Sequence, residues 1–145
     1  MVTVRDILQG KGNQVWWVSP DATVFDALAL MAEKNVGALL VLEGEKIAGI
    51  FSERDYARKI ILKGKASKET SVKEIMTSEV TTVRPGQSVE ECMALMTDQR
   101  IRHLPVLEGD KLVGLVSIGD VVKAVISAKE FIIEQLETYI TGGRS

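Results

Sequence analysis

The chain has 145 residues, 46% of them hydrophobic, with 18 basic and 20 acidic side chains and a net charge of −2. That suffices for one compact domain or two small, mutually dependent halves, and the balanced charge, with no long run of either sign, argues against a nucleic-acid binder. A single cysteine, Cys92, excludes an internal disulfide, and His103 as the only histidine excludes a Cys/His zinc site.

No apolar run approaches the length of a membrane span, and Asp6 comes too early for a signal peptide, so a soluble cytoplasmic protein is expected. Thr3 and Asp6 have the spacing of a short capped helix. Val15–Val18 reads as a strand closed by Pro20. Thr23 then opens an amphipathic helix with Val24, Ala27, Leu28 and Met31 at helical spacing. Ala38–Leu42 is a short buried strand, Glu43-Gly44-Glu45 a turn, and Lys46–Phe51 its hairpin partner. The next helix is expected to bury Ala57, Ile60 and Ile61. Lys63–Thr70, with Gly64 and four charged residues, reads as an exposed linker.

The same order then recurs. Ser71 and Glu74 echo Thr3 and Asp6. Val80–Val83 ends at Pro85 as a second first strand, and Ser88 opens a helix with Val89, Cys92, Met93 and Met96 inward. Leu104–Leu107 pairs with Lys111–Val116, with Pro105 marking a strand start or edge. A helix burying Val122, Val125 and Ile126 follows. Lys129–Thr141 is expected as an additional amphipathic helix with Ile132, Ile133, Leu136 and Ile140 on one side, ending at Gly142-Gly143. It is read as a cap on the domain's own core, with an oligomer or partner contact as the alternative.

Sliding the chain on itself by 65 positions aligns Val18–Ile61 with Val83–Ile126 without a gap. Identities include Ala29-Leu30-Met31 with Ala94-Leu95-Met96, Val41-Leu42-Glu43-Gly44 with Val106-Leu107-Glu108-Gly109, Gly49 with Gly114, Ser52 with Ser117 and Asp55 with Asp120. This density of matches is duplication. The entry segments echo each other at an offset of 68, Thr3–Leu8 against Ser71–Met76. The fold class is therefore α/β with mixed sheets, built from two β-α-β-β-α repeats. Its segments are 1–62, the linker 63–70, 71–127, and a C-terminal helix and tail 128–145.

Both Ser-x-x-Asp elements sit where a strand runs into a helix. The plain reading is a helix cap, with Ser52 and Asp55 satisfying the first turn. The same corner also offers unpaired N–H groups to an anion, Arg54 adds a guanidinium, and a carboxylate there can accept the two hydroxyls of a ribose. Hydroxyl-accepting acid beside phosphate-binding cation describes a nucleotide. Cys92, Met31, Met93 and Met96 read as core, Arg58 and Lys59 as a solvated face, and Trp16 and Trp17 as facing opposite sides of a strand.

Through Ile75-Met76-Thr77, Val83-x-Pro85, Ile101-Arg102-His103-Leu104-Pro105-Val106, Gly114-Leu115-Val116-Ser117 and both Ser-x-x-Asp elements, the chain resembles a tandem pair of cystathionine-β-synthase-type (CBS) domains, a Bateman module. The resemblance implies two repeats packed about a pseudo-twofold axis, two clefts that take adenine nucleotides, and homodimers of such pairs. It gives Asp55 and Asp120 the ribose hydroxyls and Ser52 and Ser117 the ribose or phosphate edge. It joins Ser52, Arg54 and Asp55 to Val80–Val83 and Arg102-His103, and Ser117 and Asp120 to Val15–Val18 and Gly37-Ala38, with the phosphate of the latter site within reach of Arg102 or His103. Val18 and Val83 thereby become cleft residues. AMP is the first choice of ligand, then NAD and ATP or ADP, with no catalytic cofactor. Arg54 against Gly119, and Gly37-Ala38 against Arg102-His103, lead us to expect unequal clefts, with tighter phosphate binding at Asp55 unless Arg102 reverses the order. A regulatory binding module is expected, not an enzyme, because no nucleophile has a base beside it. The alternative is an interaction scaffold acting through its C-terminal helix.

Overall fold

The computed structural model describes residues 1–140, so the expected helix end at Gly142-Gly143 lies outside the described residues. In chain order the elements are α1 (Val4–Lys11), β1 (Trp17–Val18), α2 (Val24–Lys34), β2 (Ala38–Glu43), β3 (Lys46–Ser52), α3 (Glu53–Tyr56), α4 (Val89–Gln99), β4 (His103–Glu108), β5 (Lys111–Ser117) and α5 (Ile118–Ile140). A π-helical turn, Ala57–Ile61, continues α3, and a 3₁₀ turn covers Val72–Glu74.

These elements form two units that do not follow the order of the repeats. Gln14–Thr81 is one; Met1–Asn13 joins Thr82 onward in the other. Each repeat's entry segment thus folds with the other repeat's body. Backbone bonds fix the arrangement: Val4 N donates to Gln87 O at 2.9 Å, and Val72 N to Ala22 O at 2.8 Å. Each unit has its own core. Val24, Leu39, Val41, Phe51 and Ile75 fill one, and Val4, Leu8, Cys92, Leu104 and Val116 the other.

The helices start where the caps predict. Thr23 Oγ1 accepts from Asp26 N at 3.1 Å and Ser88 Oγ from Glu91 N at 3.1 Å. Hairpins β2–β3 and β4–β5 pair in matching registers, Ala38 opposite Ser52 and His103 opposite Ser117, each with a bulge after its fourth residue. Trp16 packs against its unit's core with Lys34 Nζ 4.4 Å from its ring centroid, while Trp17 is exposed.

The expected strand Val80–Val83 is not formed; only one parallel bridge, Val83 to Val106, remains. The reason is Pro105. In the first unit Leu40 N donates to Trp16 O at 3.2 Å, continuing the ladder of β1. Pro105 stands at the position equivalent to Leu40 and has no N–H to give, so the pairing stops.

Three stripes also differ from expectation. Ile61 is exposed while Ile60 is buried, because the π-helical turn carries an extra residue per turn and rotates Ile61 off the core face. Met93 is exposed, leaving Val89, Cys92 and Met96 as the buried residues of α4. On α5 the buried residue is Val121, with Ala124 and Val125 partly buried, whereas Val122 and Ile126 face outward. Nor does the chain break after Ser127, because α5 runs 23 residues to Ile140 as one helix.

Glycines at the equivalent positions 49 and 114 let the entry segments cross the hairpins. A Cβ on Gly49 would lie 2.7 Å from Thr77 O and 2.7 Å from Met76 Sδ; one on Gly114 would lie 2.6 Å from Leu8 Cδ2. Backbone cannot yield as a leucine tip can. Gly49→Ala is therefore expected to lower unfolding free energy by about 1–3 kcal/mol, and Gly114→Ala by less, in urea titrations. Equal costs would contradict this reading.

Candidate functional site

Two corners result, one in each unit, at the β3–α3 and β5–α5 junctions. In the first, Ser52 Oγ accepts from Asp55 N at 3.2 Å while Asp55 Oδ2 accepts from Ser52 N at 3.0 Å and Ser52 Oγ at 3.1 Å. That is a capping box, so the helix-cap reading holds. Asp55 Oδ1 further accepts from Thr77 Oγ1 at 3.3 Å and lies 3.4 Å from Lys59 Nζ. Lys59 also donates to Ile75 O at 2.9 Å, so it is anchored rather than merely solvated. With these contacts on both oxygens, Asp55 is only 8% exposed.

The strand pairing places Gly37 and Ala38 beside this corner, with Gly37 O accepting from Glu53 N at 3.1 Å and Ala38 opposite Ser52. Ala38 is buried. Val18 is half-buried one strand further, opposite Val41. Arg54 is exposed on α3.

The second corner repeats the cap, with Asp120 N donating to Ser117 Oγ at 3.2 Å and Ser117 N to Asp120 Oδ2 at 2.9 Å. Its surroundings differ. Lys11, the last residue of α1, places Nζ 2.7 Å from Asp120 Oδ2 and 2.9 Å from Leu115 O. Burial would raise the Asp120 carboxyl, but Lys11 and the Ser117 N–H together hold it below its ordinary value. Arg102 O accepts from Ile118 N at 2.8 Å, and the guanidinium side chain is exposed. His103 is half-buried opposite Ser117.

Val83 does not meet its expectation. It is 1% exposed inside the core, its N–H donates to Pro105 O and its carbonyl accepts from Leu107 N, each at 2.9 Å. Neither its side chain nor its N–H is available to a ligand.

Thr77, Lys59 and Lys11 were not singled out as site residues by the sequence reading. Only Lys11 had a legible signal: at the offset of 68 its counterpart is Glu79, a charge reversal between otherwise similar entry segments. Cys92 is core, its thiol pushed up to about 11 by burial and by the nearby Glu91, which suits a packing role and not a nucleophile.

His103 carries a pH dependence. Burial, with Lys11 and Arg102 nearby, holds it below its ordinary 6.5, and Asp120 opposes this only in part. A lowered folded-state value means that the unfolded chain takes up the proton first. Stability is then full above 6.5 and falls as pH drops towards the folded value. The melting temperature is expected to decline as pH falls below about 6.5, and His103→Gln to flatten that decline. An unchanged slope would refute the assignment.

A helix and hairpin with a capped Ser-x-x-Asp corner at the hairpin exit thus occur twice in the chain. The CBS domain model matches residues 4–62 and 72–127, and the chain belongs to the CBS-domain family. Among its relatives is the mitochondrial CBS domain-containing protein CBSX3 of Arabidopsis thaliana, 46% identical over 150 residues, covering 97% of this chain and 73% of that protein. A solved protein with CBS domains from Burkholderia ambifaria superposes with a TM-score of 0.85 at 56% identity, over 87% of this chain and 95% of that one. A structure of CBSX2 in complex with AMP gives a TM-score of 0.72 at 26% identity, over 88% and 98% of the two chains. Among the described residues no helix is long and apolar enough to cross a membrane.

Proposed function

We propose that the protein is a regulatory module that binds an adenine nucleotide at its Ser-x-x-Asp corners and signals through its state of association. The observation that carries this is the pair of hairpin exits at which a hydroxyl and a carboxylate are held in place by the helix start, each with cations at hand. A carboxylate oriented in this way accepts the hydroxyls of a ribose, and the helix N-terminus with a nearby lysine or arginine suits phosphate. The AMP held by CBSX2 supports AMP as the first ligand to test, ahead of NAD, ATP and ADP.

The outward face of α5 supports a homodimer and favours the contact reading of the C-terminal helix over the core-cap reading. Val122, Ile126, Ile133, Leu136 and Ile140 are all exposed and, with Lys129 filling the remaining place, fall at alternating spacings of four and three. That is the seam of a coiled coil. Lys123, Lys129, Glu130 and Glu137 lie on or beside it with both signs of charge, which suits a second copy of the same helix.

The test is a thermal-shift and calorimetric panel of AMP, ADP, ATP, NAD and S-adenosylmethionine against the pure protein. Saturable stabilisation by at least one phosphorylated member is expected. No response to any member, with the dimer intact, would favour the scaffold reading instead.

A further inference from the structure

The two corners differ in charge, the first balanced and the second more cationic, although the sequence reading expected the first to be the better phosphate site. In the first, the acids Glu53 and Asp55 accompany the cations Arg54 and Lys59. In the second, Ile118 stands where Glu53 does, so Asp120 is the one acid, facing Lys11 and flanked by Arg102 and His103. Gly119, in the place of Arg54, leaves room; a Cβ there would meet only Ser117 Oγ, at an ordinary 3.6 Å. The acceptor atoms differ too. Asp55 uses both oxygens within its own unit, whereas the Lys11 and Ser117 bonds to Asp120 both end on Oδ2. Oδ1 of Asp120 therefore keeps lone pairs for a ligand hydroxyl. Ala124 replaces Lys59, and Glu79 is the counterpart of Lys11, so this lysine is peculiar to the second corner.

We propose that the Asp120 corner is the one that takes the nucleotide, and that Lys11, reaching in from α1, is the cation that makes it select a phosphorylated ligand over the bare nucleoside. This rests on the nucleotide reading above. Anchored by Leu115 O, the ammonium stands beside the acid that accepts the ribose and next to the N-terminus of α5, where a 5′-phosphate finds both a fixed charge and the positive end of the helix dipole. The Asp55 corner, sealed by Thr77 and Lys59, then serves mainly as a structural joint.

Calorimetry with AMP and with adenosine on wild type, Lys11→Met and Lys11→Arg tests this. Wild type should prefer AMP. Lys11→Met should weaken AMP by about 10- to 100-fold, the range for a charge-assisted bond, with little change for adenosine, and Lys11→Arg should retain the preference. Circular dichroism melts of each variant separate lost binding from lost folding. An unchanged ratio of AMP to adenosine affinity in Lys11→Met overturns the proposal, and so does tighter AMP binding, which would mean that the lysine competes with the ligand. Binding of neither compound by wild type overturns the nucleotide reading itself, a distinct result.

Discussion

Asp120→Asn is expected to abolish any stabilisation of the protein by AMP, whereas Asp55→Asn is expected to lower the melting temperature of the free protein and leave the AMP-induced shift in place. The two aspartates hold equivalent positions in the repeat but differ in employment. Asp55 is almost fully buried and bonded to Ser52 and Thr77, with Lys59 close by. Neutralising it leaves those donors poorly matched inside the fold, a cost of about 1–3 kcal/mol. Asp120 is more open and its ion pair with Lys11 is partly solvated, so breaking that pair costs only about 0–1 kcal/mol. Asparagine can still accept from Ser117 N, and the cap survives. What it loses is the charge and the acceptor that a ribose diol needs. With ligand at about 100 times Kd the wild type gains about 2.7 kcal/mol, roughly 5–10 °C at about 2–4 °C per kcal/mol. That shift should vanish in Asp120→Asn. A full shift in both variants removes the corners from the binding site; loss in Asp55→Asn alone returns the site to the first corner.

Leu136→Asp and Ile133→Asp are each expected to convert the proposed dimer to a monomer without lowering the stability of the chain's own core. Ile126, Ile133 and Leu136 are 52%, 54% and 55% exposed, so these side chains are not buried within their own unit. Contiguous exposed apolar stripes of this kind mark interfaces. Each such side chain contributes about 1.5–3 kcal/mol when buried against a partner, and a carboxylate forced into the seam brings an unpaired charge with it. Light scattering after size exclusion should give twice the chain mass for wild type and the single-chain mass for either variant. The wild-type melting temperature should rise with protein concentration and that of the variants should not. A monomeric wild type, or a variant that remains dimeric, rules out α5 as the interface.

Much of this was legible beforehand, and for definite reasons. Duplication showed directly as identities at one offset, and each Ser-x-x-Asp named its own capping box, because caps depend on residues three apart. The hairpins were readable from apolar runs around Glu43-Gly44 and Glu108-Gly109, which need only local turn chemistry. The missing strand at Val80–Val83 was half-legible. Pro105 was recognised as an edge residue, but that its absent N–H would end the pairing with Thr81 required knowing which strand lies beside it.

The sequence by itself determined the repeat, the family and the two capped corners, since all of these rest on spacing within a few residues or on identity at a constant offset. Only the tertiary structure decided that each entry segment folds with the other repeat's body, and so that Lys11 meets Asp120, 109 residues away, while Thr77 meets Asp55. It also decided which face of α5 is inward, since a helix carrying apolar residues on two sides buries whichever one its neighbours cover; here Val121 is covered and Val122 is exposed. Periodicity reports that a helix has an apolar face. Packing chooses which face is used.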